Sequence, residues 1–244
     1  MKTIFGRLVR FKDANDDILY GEAPAEICNL VGHRVPVYAG DNPWSLRETS
    51  KTAEIVEVLC PLAETPIIYG VGLNYKKHIA EGPKELIKKA SPTTPNYPTI
   101  FTKPPDALNG PFSPVHWQHP DISGGQHGYS KSFDGFAPFG PVLVTPAALP
   151  IDTSSGQIDL ELVTRVNGEE RQRGRTSDMI FNVAETIMHL SRATTLRRGT
   201  VIMTGTPEGV ALWMKPPGWI TDGDEVEVSI EALGSIKNTF VFDK

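Results

Sequence analysis

Prolines and glycines occur along the whole chain and limit the length of any regular element. The 244 residues include 21 prolines and 22 glycines, and both residue types interrupt helices and favour turns. Between them lie short runs rich in Val, Ile, Thr, Tyr and Phe, which favour strands. The sequence therefore predicts an α+β fold that is mostly β, with short helices.

Strand-like runs dominate the first part of the chain, at residues 3–9, 18–22, 34–39 and 53–59. They precede a dense motif that begins at Ile67. We therefore expect residues 1–62 to form a small N-terminal β domain and residues 63–244 to form a second, larger domain.

The second domain alternates strand-like and helix-like patterns. Helical composition at 75–90 is interrupted by Gly82 and Pro83, and Asn167–Gly168 predicts a type I′ hairpin turn. Ile180, Val183, Ile187 and Leu190 lie on one helical stripe, which predicts a helix at 178–191 capped by Ser177 or Asp178. Strands are expected at 67–72, 157–166, 201–204, 225–230 and 236–242.

Charge and composition exclude several function classes. A net charge of -5 and a pI near 5.7 argue against binding to nucleic acid or to an acidic membrane, which requires clustered Lys and Arg. No run approaches the ~18 apolar residues of a membrane span. Cys28 and Cys60 have neither metal-type spacing nor the density of a disulfide scaffold. We expect a small-molecule partner and a reducing compartment, the cytoplasm or alternatively the mitochondrion.

The densest chemical signal follows the strand predicted at 67–72. His78 and Glu81 are three residues apart, a spacing that places both side chains on one face of a helix. There a carboxylate can orient an imidazole that acts as a general base. A surface ion pair would produce the same spacing.

Three later motifs add polar groups. The Pro-rich segment 98–111, expected to be a stiff connection, carries Lys103, and the segment 125–136 carries Lys131 and Asp134, of which Asp134 is interpreted as a structural acceptor. The turn at Thr204, Gly205 and Thr206 follows a predicted strand and offers N–H groups and hydroxyls to a carboxylate.

Taken together, these four motifs resemble the fumarylacetoacetate hydrolase family in order and approximate spacing. The resemblance implies a mixed β-sandwich roll, a catalytic second domain and a homodimer. It implies that His78 and Glu81 activate water and that Lys131 stabilises an oxyanion. It also makes Tyr75, Lys103, Thr204, Gly205 and Thr206 substrate-binding residues. The implied reaction is carbon–carbon bond cleavage, by hydrolysis or decarboxylation, of a β-dicarbonyl or α-keto acid such as an acylpyruvate or oxaloacetate.

One part of the family pattern is missing. The family normally places a Glu-x-Glu strand and a later Asp, which bind Mg²⁺, Mn²⁺ or Ca²⁺, ahead of the lysine motif. Here the segment 111–125 contains no such carboxylates, so we identify no metal ligands and expect the chain to be shortened near 115–125. Asp159 and Glu161 have the Glu-x-Glu spacing but lie after the lysine motif. A substitute site could draw on the following side chains: His116, His119, Asp121 and His127.

The missing carboxylates leave three hypotheses open. The first is a hydrolase of this family that is impaired by loss of its metal site, since a metal supplies several kcal/mol of charge stabilisation. The second is a non-catalytic, truncated partner of a full-length homologue. The third is a metal-independent keto–enol tautomerase or isomerase, which needs only proton transfer by His78.

Overall fold

The computed structural model describes residues 3–25, 29–82, 96–117, 126, 128–152 and 156–242. Its helices are α1 (Lys76–Glu81) and α2 (Val183–Leu190). Its strands are β1 (Arg7–Lys12), β2 (Ile18–Glu22), β3 (Arg34–Ala39), β4 (Arg47–Glu54), β5 (Glu57–Leu59), β6 (Ile68–Gly72), β7 (Thr99–Lys103), β8 (Leu108–Asn109), β9 (Val115–Trp117), β10 (Ala137–Pro138), β11 (Leu143–Val144), β12 (Glu161–Val166), β13 (Glu169–Arg175), β14 (Val201–Met203), β15 (Glu225–Ile230) and β16 (Gly234–Phe242). The predicted α+β, mostly β fold class is confirmed.

The N-terminal strands form a sheet in the order β11-β1-β2-β3-β4, with β5 also paired to β1. Side chains alternate between the two faces of a strand, so Val9 and Phe11 enter one buried cluster and Leu8 enters another. Both faces of the sheet are therefore packed. One strand of this sheet, β11, comes from the later part of the chain, and the boundary proposed at residue 62 stays a prediction.

A second sheet has the strand order β13-β12-β15-β16-β9. Its β12–β13 turn has positive φ at Asn167 (51°) and Gly168 (83°), as a type I′ hairpin requires. The hairpin predicted there is confirmed. Strand β9, which the sequence did not predict, pairs in parallel with β16.

A three-stranded sheet, β14-β6-β7, positions the candidate site. Strands β6 and β14 are parallel, with Val201 opposite Ile68, so the loops that follow them leave the sheet at the same edge. Strand β7 runs antiparallel to β6 and pairs Phe101 with Gly70. A Cβ at Gly70 would overlap the Phe101 ring, which explains why glycine is needed there. The Pro-rich segment interpreted as a connection is thus partly a strand.

The helix predicted at 178–191 begins later than expected. Residues Thr176–Asp178 form a 3₁₀ turn, and α2 is capped by Asn182, whose side chain accepts a hydrogen bond from the Glu185 N–H while the Glu185 carboxylate accepts one from the Asn182 N–H. This capping box stabilises a start at Val183. The predicted Ser177 or Asp178 cap is therefore wrong.

The apolar stripe assigned to α2 is only partly buried. Leu190 is buried, but Val183 is 40% exposed and Ile187 is 43% exposed. The helical part of 75–90 includes α1 as predicted, whereas residues 83–90 lie outside the described residues, as does Cys28. In the part of the chain that the structure describes, no helix has the length and hydropathy needed to cross a membrane.

Candidate active site

The candidate active site begins at the turn that joins β6 to α1. Leu73 has a φ of 53°, in the left-handed region that non-glycine residues rarely adopt, and it is 39% exposed. The turn directs Asn74 and Tyr75 inward, where they are 0% and 2% exposed. Such strained residues occur often at functional sites. The strained turn therefore fixes the position at which α1 starts.

The His78 and Glu81 side chains are paired on α1, as their spacing predicts. The His78 Nδ1 to Glu81 Oε1 distance is 2.6 Å, and the two side chains are 12% and 18% exposed. With Glu81 as a carboxylate that only accepts, Nδ1 donates, and in the neutral imidazole Nε2 then keeps its lone pair. The pair is thus oriented to present a base at Nε2, and it is not a fully exposed surface ion pair.

Glu81 is held from a second direction by the loop after β14. Its Oε2 accepts a hydrogen bond of 2.7 Å from the Gly209 N–H. Lys77 Nζ lies 3.6 Å from Glu208 Oε1, which links the same two segments. The carboxylate is therefore fixed at both oxygens, and its orientation depends on the 204–210 loop.

Gly209→Ala should loosen this anchor. Gly209 has a φ of 94°, and a Cβ there would overlap the Arg171 carbonyl oxygen. A strained backbone position costs about 1–3 kcal/mol, and we expect a loss in the free energy of unfolding at or above the top of that range because the overlap adds to the strain. Urea unfolding of the wild-type protein and of Gly209→Ala measures this loss.

Gly168→Ala is the matched control, because Gly168 also has positive φ (83°) but nothing lies within 4 Å of its Cβ position. We expect Gly168→Ala to show the backbone strain alone. Equal losses for the two variants would contradict the expected overlap between the added Cβ and the Arg171 carbonyl oxygen.

Asn74, which the sequence analysis did not single out, joins three segments. Its Nδ2 donates to the carbonyl oxygens of Thr204 (2.7 Å) and Phe181 (3.1 Å), and its Oδ1 accepts from the Phe181 N–H (2.9 Å). Its own carbonyl oxygen accepts from the Ile180 N–H. Because the Asn74 side chain is fully buried and its polar atoms are all hydrogen-bonded, Asn74 fixes the loop after β14 against the start of α1.

The Thr204–Thr206 turn is held by side chains around it. Tyr75 forms a side-chain hydrogen bond with Thr204, and burial raises the pKa of Tyr75 to about 12. Gln172 on β13 donates from Nε2 to Thr206 Oγ1 (2.8 Å) and to the Pro207 carbonyl oxygen (3.0 Å). Gly205 is exposed with a φ of 113°. Tyr75 is only 2% exposed, so we interpret it as a support for Thr204, and its predicted role in substrate binding stays a prediction.

The two predicted lysines lie together against β7. Lys103 is 5% exposed and donates from Nζ to the Phe136 carbonyl oxygen. Lys131 Nζ lies 5.9 Å from the centre of the Phe101 ring, and Ser132 Oγ donates to the Thr102 carbonyl oxygen (3.3 Å), which ties this loop to β7. Burial and the charge of Lys131 lower the pKa of Lys103 to about 8, and burial also lowers the pKa of Lys131.

The predicted site residues thus form two groups on one small sheet. His78, Glu81 and the Thr204–Thr206 turn follow the carboxyl ends of β6 and β14. Lys103 is opposite Ile68 at the start of β6, and Lys131 lies over the central β6–β7 pair through Phe101. Asp134 is exposed beside the lysine loop. Both groups are therefore attached to the β14-β6-β7 sheet.

The donor set described here does not fit the divalent cation that the family pattern implies. Within the described ranges, no three His, Cys, Asp or Glu side chains are grouped closely enough to hold a metal ion. Asp159 accepts from Arg175 Nε (2.8 Å) and Glu161 from Arg173 Nη1 (2.6 Å), so arginines neutralise both carboxylates. His116 is exposed on β9. His119, Asp121 and His127 lie outside the described residues.

A cavity of about 640 Å³ lies elsewhere, against β15 and β16, and Phe112, Glu227 and Lys237 are among its lining residues. None of the predicted site residues lines it. The site is therefore identified by its hydrogen-bonded geometry and not by cavity size.

Comparison with known proteins shows relatives in both sequence and structure. The chain is 31% identical over 233 residues to the mitochondrial oxaloacetate tautomerase FAHD2A of Bos taurus, covering 76% of this chain and 70% of that protein. The 5-carboxymethyl-2-hydroxymuconate delta-isomerase of Mycobacterium smegmatis is similar in structure, with a TM-score of 0.74, 26% identity and coverage of 97% of this chain and 100% of that chain. The fumarylacetoacetate hydrolase of Exiguobacterium antarcticum superposes with a TM-score of 0.71, 26% identity and coverage of 97% and 99%.

The strand-rich fold and these relatives define a structural class that includes proteins named as a tautomerase, an isomerase and a hydrolase. Within that class, the chain belongs to the fumarylacetoacetate hydrolase family, whose C-terminal domain, described as fumarylacetoacetate (FAA) hydrolase C-terminal, matches residues 67–123 and 116–241. The resemblance predicted from the four motifs is confirmed.

Proposed function

We propose that this protein catalyses the keto–enol tautomerisation of an oxo-dicarboxylate such as oxaloacetate. The observation that carries the proposal is the His78–Glu81 pair, which leaves His78 Nε2 as a base while both Glu81 oxygens are held. Proton transfer is the one chemical step that such a pair supplies without further groups.

The proposed reaction begins at the carbon between the two carbonyl-bearing groups of the substrate. His78 Nε2 takes a proton from this carbon, the carbon–hydrogen electron pair forms a carbon–carbon double bond, and the carbonyl oxygen becomes an enolate oxygen. The Lys131 ammonium is the proposed partner for that negative charge. The proton then returns to oxygen to give the enol, and the reverse sequence gives the ketone.

Two similarities support a proton-transfer reaction. The bovine relative is named an oxaloacetate tautomerase and the mycobacterial structure an isomerase.

Lys103 and Lys131 offer two ammonium groups to a dicarboxylate, and the Thr204–Thr206 turn offers hydroxyl groups. We propose these as the substrate-binding residues.

Carbon–carbon bond cleavage, the reaction first expected from the family resemblance, is the second candidate. The structural similarity to a fumarylacetoacetate hydrolase supports it. Cleavage requires an attacking water and stabilisation of a carbon leaving group in addition to proton transfer. The expected internal shortening near 115–125, which would remove the carboxylates of the family's metal site, weighs against it.

An assay that follows both reactions separates the candidates. The protein is mixed with freshly dissolved enol oxaloacetate, and the ultraviolet absorbance of the enol is followed while pyruvate release is measured in the same sample; an acylpyruvate is tested in parallel. We expect enol loss faster than in buffer, with no pyruvate beyond the uncatalysed amount. Cleavage of either compound would favour the second candidate, and no acceleration of any reaction would favour a non-catalytic partner.

The homodimer and the cytoplasmic location stay predictions.

A further inference from the structure

Lys103 is a buried cation and Lys131 is a half-buried one, and both lack a described counter-ion. The Lys103 ammonium contacts a carbonyl oxygen and the Lys131 ammonium lies over an aromatic ring. Among the described residues, no Asp or Glu forms an ion pair with either lysine. By contrast, the more exposed Lys12 is 2.9 Å from a Glu57 oxygen and Lys237 is 2.9 Å from a Glu225 oxygen.

The charge of this pair determines which ligand fits beside it. Unit charges a few ångströms apart interact more strongly in a protein than in bulk water, because the effective dielectric is lower. A divalent cation beside two ammonium groups would therefore be repelled by each of them, with no group of carboxylates described that could compensate. A dianion would instead neutralise both ammonium groups, and a carboxylate forms strong, charge-assisted hydrogen bonds with ammonium donors.

We infer that Lys103 and Lys131 hold a dicarboxylate directly and supply the charge stabilisation that the family pattern assigns to a divalent cation, so that this chain binds its ligand without metal. This inference rests on the proposed function only for the choice of a dicarboxylate as ligand. The buried Lys103 and the half-buried Lys131 are present in the structure whichever reaction follows.

The direct test is calorimetric titration of the full chain with malonate, a dicarboxylate that does not enolise readily. The titration is run once after dialysis against EDTA and once with Mg²⁺ present. We expect the same dissociation constant within about twofold in both conditions. A separate titration with Mg²⁺ alone should show no binding at micromolar protein. Binding of Mg²⁺ alone, or malonate binding that requires Mg²⁺, would overturn the inference.

Lysine variants connect the binding to this pair. Lys131→Met removes the charge and keeps an unbranched apolar side chain, and we expect malonate to bind roughly tenfold or more weakly, as expected for the loss of a charge-assisted hydrogen bond. Lys12→Met is the control, because Lys12 pairs with Glu57 on the N-terminal sheet, and it should bind malonate normally. Thermal melting checks that both variants fold. Normal malonate binding by folded Lys131→Met would also overturn the inference.

The pH dependence gives a second measurement. Lys103 has a lowered pKa of about 8, caused first by burial and then by the charge of Lys131. It is charged below that pH and becomes neutral above it, while the group opposite it on β6 is the apolar Ile68. Malonate binding should therefore weaken as the pH rises through about 8. Binding that is unchanged between pH 7 and pH 9 would contradict the role of Lys103.

Failure of this inference is distinguishable from failure of the proposed function. Metal-free malonate binding without any tautomerase activity would retain the inference and remove the function. Tautomerase activity that disappears with EDTA and returns with Mg²⁺ would retain the function and remove the inference.

Discussion

His78→Ala should remove the accelerated loss of enol oxaloacetate while leaving the protein folded. A positioned general base contributes about 10²- to 10⁴-fold to a rate, and His78 is the base that the proposed reaction uses. We therefore expect kcat to fall by that factor, with a small change in KM, because the base acts in the transition state. Steady-state kinetics measures both constants.

His33→Ala is the matched histidine control. His33 is exposed beside β3 in the N-terminal part of the chain, so its replacement should leave both constants unchanged. Glu81 keeps its hydrogen bond from Gly209 in the His78 variant, and we expect the thermal midpoint to change little. Full activity in His78→Ala would mean that another group moves the proton.

Asn74→Ala should show the largest loss of stability among the site variants. The change removes hydrogen bonds to the carbonyl oxygens of Thr204 and Phe181 and to the Phe181 N–H, all close to a side chain with no exposed surface. Buried groups left without partners cost about 1–3 kcal/mol each. We expect a decrease of roughly 3 kcal/mol or more in the free energy of unfolding, measured by urea denaturation.

A second buried asparagine provides the control for a specific role at the site. Asn238 is 3% exposed and donates from Nδ2 to the carbonyl oxygens of Gly110 (3.1 Å) and Ser113 (2.8 Å), away from the pair on α1. Asn238→Ala should also destabilise the protein but leave kcat unchanged at a temperature where the variant is folded. Asn74→Ala should lower kcat under the same conditions. Equal kcat values for the two variants would assign Asn74 a structural role only.

Strands were predictable where a run of β-formers is bounded by turn residues. The predicted strands β2, β3 and β15 have the observed limits, because Gly, Pro, Asn and Asp flank strand-forming residues there. The start of α2 was not predictable from periodicity. Its position depends on the reciprocal hydrogen bonds of Asn182 and Glu185, and the two exposed positions on its apolar stripe depend on which elements pack nearby.

The candidate site shows the same division between local and long-range information. The His78–Glu81 pairing follows from a spacing of three residues on one helix, so the sequence predicted it. The anchoring of Glu81 by Gly209 joins residues 128 positions apart, and Asn74 reaches across similar separations. The signal available in the sequence was that Asn74, a polar residue, follows a predicted buried strand. Its hydrogen-bond partners depend on the parallel pairing of β6 with β14. The sequence likewise did not show that Lys103 is buried, and this became apparent only from the structure.

The claim on which this account depends is that His78 removes a proton from a carbon next to a carbonyl group. Its most direct test is the exchange of that hydrogen in D₂O, followed by proton NMR of oxaloacetate at early times with EDTA present. We predict that the wild-type protein accelerates loss of the carbon-bound proton signal well above the buffer rate and that His78→Ala does not. Exchange at the buffer rate in the presence of the folded wild-type protein would contradict the account.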